Sequence, residues 1–151
     1  INESVIDNID SIYLSTEEHY KITVNNQLNI IGDEIYILPF LYNQMKENPF
    51  KMEVREYPVE YGYASEKIIT SVYNIPENYE ITAVPLTVRY ALPANAATYV
   101  YQVTRNGNKV SITSTFSINK PLFLPPEYKG LKEFYNRIIK KQAEPIILKR
   151  K

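Results

Sequence analysis

The run Thr98 to Ile118, TYVYQVTRNGNKVSITSTFSI, limits the fold more tightly than any other stretch of the chain. Tyr99, Tyr101 and Val103 alternate with Val100, Gln102 and Thr104. Past the centre of the run, Val110, Ile112, Ser114, Phe116 and Ile118 share one parity, and Ser111, Thr113, Thr115 and Ser117 the other. A period of two is that of a strand with one buried face. Asn106-Gly107 lies between the halves and suits a type I′ turn, which needs positive φ at both central residues. The stretch predicts a β-hairpin, and with it an antiparallel sheet. It supplies no chemistry of its own.

At 151 residues the chain is expected to form one domain, or one with a small appendage. A chain of this size buries roughly 68–70% of its unfolded surface and needs no covalent staple. Seventeen basic residues balance seventeen acidic ones, which argues against generic nucleic-acid binding. The absence of cysteine removes disulfides, thiol nucleophiles and thiolate metal sites together, without fixing the compartment. Fourteen Tyr and ten Pro against four Gly suggest many strands joined by proline-marked connections. No window approaches the ~18 apolar residues of a membrane-spanning helix. The chain starts at Ile1, so it is read as a piece of a longer protein whose targeting signal lies outside it.

Residues 1–19 are expected to be an N-terminal segment or first strand, drawing on Ile9, Ile12 and Leu14. Residues 20–120 form the predicted body. Tyr20, Ile22 and Val24 alternate with polar neighbours, and Asn25-Asn26 reads as a turn. Gln27 to Ile31, a turn at Gly32-Asp33, and Glu34 to Leu38 continue as a meander. Leu41, Tyr42 and Met45 suggest a helical turn before Asn48-Pro49. Further strands are predicted over Met52 to Tyr57, Lys67 to Tyr73, Tyr79 to Val84 and Leu86 to Leu92, with Ala94 to Ala97 leading into the hairpin. In residues 121–151, Pro125 and Pro126 precede an apolar three-and-four repeat: Tyr128, Leu131, Phe134, Tyr135, Ile138, Ile139. That is one face of an amphipathic helix, with Glu133–Arg137 as an i,i+4 pair and Lys140 and Lys141 favouring its end. Ile146-Ile147-Leu148 adds a last short strand.

Three segments taken together carry a resemblance. They are Asn48-Pro49-Phe50 followed by Arg55-Glu56-Tyr57-Pro58-Val59-Glu60-Tyr61-Gly62-Tyr63; Ser117-Ile118-Asn119-Lys120-Pro121; and Glu127-Tyr128 through Leu131-Lys132-Glu133-Phe134-Tyr135 to Ile138-Ile139-Lys140-Lys141-Gln142. Over roughly residues 20–148 the chain resembles the domain of unknown function at the C-terminal end of exported bacterial proteins with a transglutaminase-like core. The resemblance implies an exported, periplasmic or cell-surface location and a β-rich domain that accompanies a papain-like core. The core's chemistry does not carry over. It needs a Cys nucleophile activated by an oriented His, and this chain has no Cys and a single His.

His19 follows Glu17-Glu18, and a lone His in a polar stretch reads as solvated rather than catalytic. Asp7, Asp10 and Asp33 lack calcium-loop spacing, so no metal and no cofactor are expected. Glu53, Glu56 and Glu60 offer carboxylates, but residues three apart on a strand face opposite ways, so Glu53 and Glu56 do not converge for glycoside hydrolysis. Tyr57, Pro58, Tyr61 and Tyr63 are the candidate interface or ligand surface, because tyrosine rings stack on sugars and anchor protein contacts. The shared parity of Tyr57, Tyr61 and Tyr63 also fits plain core packing. The basic tail Lys149-Arg150-Lys151 reads as a solvated end.

The expected fold is mainly β: an antiparallel β-sandwich, immunoglobulin-like or related, with one C-terminal amphipathic helix across an open edge or end. The expected function is a non-catalytic accessory domain whose partners are other domains of the same polypeptide. The alternative is a carbohydrate- or peptide-binding module using the tyrosine-rich surface.

Overall fold

The computed structural model describes residues 1–23, 28–41 and 43–151. The expected turn at Asn25-Asn26, with Val24, Gln27 and Tyr42, lies outside the described residues. The fold is mainly β, its sheets are antiparallel throughout, and it has one C-terminal α-helix. An exposed N-terminal pair joins β1 (Glu3–Asp7) to β2 (Glu17–Lys21). Ile9, Ile12 and Leu14 therefore sit in the connection between two strands rather than in the first of them.

The larger sheet contains β6 (Ser65–Asn74), β8 (Val88–Ala91), β9 (Ala97–Asn106) and β10 (Lys109–Ile118), ordered β6-β10-β9-β8. The β9–β10 hairpin follows the alternation read from the sequence, but its turn sits one residue later. Asn106 pairs with Lys109, leaving Gly107-Asn108 as the two-residue loop. Only Gly107 has positive φ there, +57°, which is the pattern of a II′ turn rather than I′. On the covered face Tyr99, Tyr101, Val110 and Ile112 are fully buried. The opposite face carries Thr70, Val72, Thr104 and Thr113 and is open to solvent or half-buried.

The smaller sheet holds β3 (Leu28–Ile31), β4 (Glu34–Ile37), β7 (Tyr79–Ala83) and β12 (Ile146–Arg150), ordered β3-β4-β12-β7. The last strand of the chain is thus an interior one. Ile146 and Leu148 are buried between elements more than sixty residues upstream, so the C-terminus ties the sheet together. A two-stranded pair joins β5 (Val59–Glu60) to β11 (Leu122–Phe123). One expected element is absent from the described residues: Met52 to Tyr57 is irregular rather than a strand, while Leu41 and Asn43 of the expected helical turn lie in a turn.

Helix α1 spans Tyr128–Gln142. Glu127 starts it, accepting the Leu124 N–H at 2.8 Å while Lys120 Nζ donates to both its oxygens at 2.7 Å. That ammonium holds the Glu127 carboxyl below its ordinary range. The apolar repeat packs as read: Leu131, Phe134 and Ile138 are buried. It packs on the sheet's face, however, and not across an edge. Phe134 and Tyr135 meet Phe116 of the interior strand β10, at ring distances of 6.2 and 5.6 Å. An edge position would have left Tyr99, Tyr101 and Ile112 uncovered. Arg137 lies 5.3 Å over the Tyr90 ring and makes no ion pair with Glu133 among the described residues. Lys141, read as a charge favouring the helix end, is buried, with Nζ 2.5 Å from Glu144 and 5.2 Å over the Tyr101 ring.

Candidate interaction surface

The segment from Asn48 to Tyr63 carries most of the exposed apolar side chains of the candidate site. Its start is fastened to α1. Asn48 Nδ2 donates to the Lys132 carbonyl at 2.8 Å and to Asn136 Oδ1 at 2.7 Å, and Asn48 Oδ1 accepts the Phe50 N–H. The Phe50 ring sits edge-on to Tyr128 and Tyr135, at 5.7 and 5.0 Å. Lys132 Nζ donates to the Lys51 and Met52 carbonyls and to Glu53 Oε1, and the Tyr128 hydroxyl donates to the Met52 carbonyl at 2.9 Å. Backbone carbonyls of an irregular segment need partners. Here side chains of the helix provide them, and the segment needs no sheet.

Beyond that clamp the side chains project outward. Met52 is 67% exposed, Val54 73% and Tyr57 77%, around a surface hollow of about 430 Å³ that Arg55 and Glu56 complete. Scattered exposed apolar residues are ordinary, but three in six residues on a pinned loop make a candidate interaction surface. The four candidate residues divide. Tyr57, Pro58 and Tyr63 face solvent. Tyr61 turns inward, its hydroxyl 3.0 Å from that of Tyr135 and its ring 5.8 Å from Phe123. Gly62, at φ +78°, reverses the chain between Tyr61 and Tyr63 and breaks their shared parity. Met52, Val54 and Lys132 are members of this surface that the sequence reading missed. The signal was the pair of prolines, Pro49 and Pro58, bracketing a segment too irregular to be a strand.

Burial raises the phenol of Tyr61 far above its ordinary range and also raises those of Tyr99, Tyr101 and Tyr135. A raised folded-state pKa means that the native form keeps protons the unfolded form has lost. The stabilisation is therefore complete below the unfolded value of about 10 and declines as pH rises beyond it. Chemical denaturation between pH 8 and 12 is expected to show flat stability up to about pH 10 and a steep fall above it. Stability independent of pH across that interval would place these hydroxyls in water.

His19 lies on the exposed β1–β2 pair, Nε2 3.5 Å from Asp7 and 3.4 Å from Glu17. Asp33 meets Lys149 at 3.4 Å, and Glu53 meets Lys132. Glu56 and Glu60 are exposed. Among the described residues no group of three or more His, Cys, Asp or Glu is placed to hold a metal ion. No helix is long and apolar enough to cross a membrane among them.

Residues 33–148, which include the surface and all of α1, match the family described as a domain of unknown function with a solved structure (DUF3858). No curated protein matches the chain. The crystal structure of a candidate protease from Parabacteroides distasonis ATCC 8503 shares the fold with TM-score 0.55 and 15% identity, covering 65% of this chain and 19% of that one. The chain thus spans about a fifth of the length of the solved protein it matches.

Proposed function

The chain belongs to the DUF3858 family, and on that footing we propose that it is a non-catalytic accessory domain of a larger exported protein, docking on or positioning a transglutaminase-like or protease-like core. One observation carries this reading: the same fold forms a minor part of a much longer candidate protease. The chemistry of the chain supports it. Without Cys, and with its only His exposed on an open strand pair, the chain has no nucleophile–base couple of the transglutaminase type, and the core would supply it. The resemblance to exported bacterial proteins favours a periplasmic or surface location. Within the same proposal, the two four-stranded sheets are the layers of an immunoglobulin-like sandwich, with α1 inserted against the larger. Their single apolar cluster supports that arrangement.

The docking contact is assigned to Met52, Val54 and Tyr57, because a rigid aromatic anchor on a pinned loop loses little entropy on binding. Titration of this chain with the separately expressed core of the same polypeptide tests it. Binding is expected, and Val54→Asp combined with Tyr57→Ala is expected to weaken it at least about tenfold, or ~1.4 kcal/mol, with the melting temperature unchanged. Absence of binding, or binding indifferent to both changes, rejects this surface.

A second reading is favoured by the exposure of Tyr57 and Tyr63: stacking on a carbohydrate, or contact with a peptide. It predicts that Tyr63→Ala abolishes retention on an immobilised cell-wall oligosaccharide. The inward turn of Tyr61 leaves this surface one ring short of the expected three.

A further inference from the structure

We propose that the long edge of β6, which pairs with no other strand than β10 among the described residues, is a binding site for an extended polypeptide, taken up as an additional strand of the larger sheet. The register decides which backbone groups are available. In a two-residue hairpin the closing pair, here Asn106 and Lys109, is hydrogen-bonded in both directions. Odd-numbered residues of β10 therefore bond to β9, and even-numbered ones bond to β6. The partners of those even residues on β6 are Ser65, Lys67, Ile69, Ser71 and Tyr73. The bond from the Ile75 N–H to the Asn108 carbonyl, 2.8 Å, extends the same parity past the ladder. The N–H and C=O groups of Glu66, Ile68, Thr70, Val72 and Asn74 consequently point away from β10. No backbone group among the described residues bonds to them.

Sheet edges in proteins are ordinarily blunted by shortness, proline, bulges or charge. The other edges here follow that rule: β3 and β8 have four residues each and β7 has five. Strand β6 does not. It runs ten residues without proline or register shift, and Ile68 to Asn74 carries no charge. Ile68 and Val72 are 60% and 49% exposed. Beside this edge lies a groove of about 260 Å³, lined by Ile22, Phe40 and Leu41 and by Ile69, Thr70 and Tyr73. The Tyr73 hydroxyl donates to the Pro39 carbonyl at 2.8 Å and holds that wall in place.

The groove selects a single strand over a second folded copy. A lone strand brings no layer of its own, whereas another copy would carry its own Pro39–Leu41 wall into the same space. The occupant is an uncharged segment of alternating apolar and hydroxyl residues. One parity meets Ile68 and Val72 on the open face, and the other reaches Ile69 and Leu41. Main-chain bonds supply affinity and the alternating side chains supply selectivity. This site is separate from the Met52–Tyr57 surface and does not depend on the docking proposal.

The test is amide hydrogen exchange by NMR on this chain, with a lysine-capped decapeptide of alternating Thr and Val as probe. Saturating peptide is expected to slow the amides of Ile68, Thr70 and Val72 at least about tenfold while leaving Ile69 and Ser71, already bonded to β10, unchanged. Thr70→Pro removes an outward N–H without touching the β10 ladder, so it is expected to lose the probe and keep its melting temperature. Thr70→Val keeps the N–H and is expected to keep binding. Unaltered exchange at the three outward amides overturns the proposal. So does protection that appears without peptide and grows with protein concentration, which would assign the edge to self-association.

Discussion

Replacing Phe134 with alanine is expected to cost about 3–5 kcal/mol of folding stability, a fall in melting temperature of roughly 6–20 °C for a domain of this size. Phe134 is 3% exposed, and its ring meets Phe116 and Tyr135, each at 6.2 Å. Truncation removes the transfer energy of a buried ring and leaves a cavity between the helix and an interior strand. Neither backbone can close it, because β10 is held on both sides by ladders and α1 is held by Leu131 and Ile138. A thermal shift near zero would show that α1 is not packed on the sheet.

Removing the carboxylate of Glu144 is expected to be nearly as costly, about 3 kcal/mol, while replacing its partner Lys141 by methionine is expected to stay within ~1 kcal/mol of the parent. The asymmetry follows from burial. Lys141 is 2% exposed, held by Glu144 and the Tyr101 ring, whereas Glu144 is 47% exposed. Glu144→Ala strands a buried ammonium; Lys141→Met removes the charge that needed a partner and leaves a carboxylate that water can solvate. The half-exposure of Glu144 puts the cost at the low end of what breaking a buried pair entails. Urea denaturation of both variants decides it, and Lys141→Met proving the less stable of the two would reverse the account.

What the sequence made legible depends on how far each signal reaches. The alternation over Thr98 to Ile118 and the three-and-four repeat from Tyr128 persist for ten residues or more, and both elements form where the pattern stands. The turn between β9 and β10 moved by one residue because Gly107 suits the first position of a II′ turn as well as the second of I′. Met52 to Tyr57 reads as a strand by composition, but a strand needs a neighbour, and none is offered among the described residues. Lys132 and Tyr128 take its carbonyls instead, through contacts some eighty residues apart in sequence. Lys141 read only as a charge favouring the helix end, because charge patterning says nothing about what lies above a helix. Glu144, three residues on, was the one local hint. Of the candidate residues, Tyr57, Pro58 and Tyr63 are exposed and Tyr61 alone packs inward as shared parity would have all three tyrosines do, because a glycine at positive φ resets the direction of the chain before Tyr63.

Native-state hydrogen exchange on the unmodified chain bears most directly on whether the two sheets and the helix share one core. Ile112 in β10, Ile138 in α1 and Leu148 in β12 are expected to exchange with one common free energy, that of global unfolding, while the exposed β1–β2 pair opens well before them. If Ile138 or Leu148 exchanges far more easily than Ile112, the C-terminal helix and strand are additions to an independent sheet, and the single-core account is wrong.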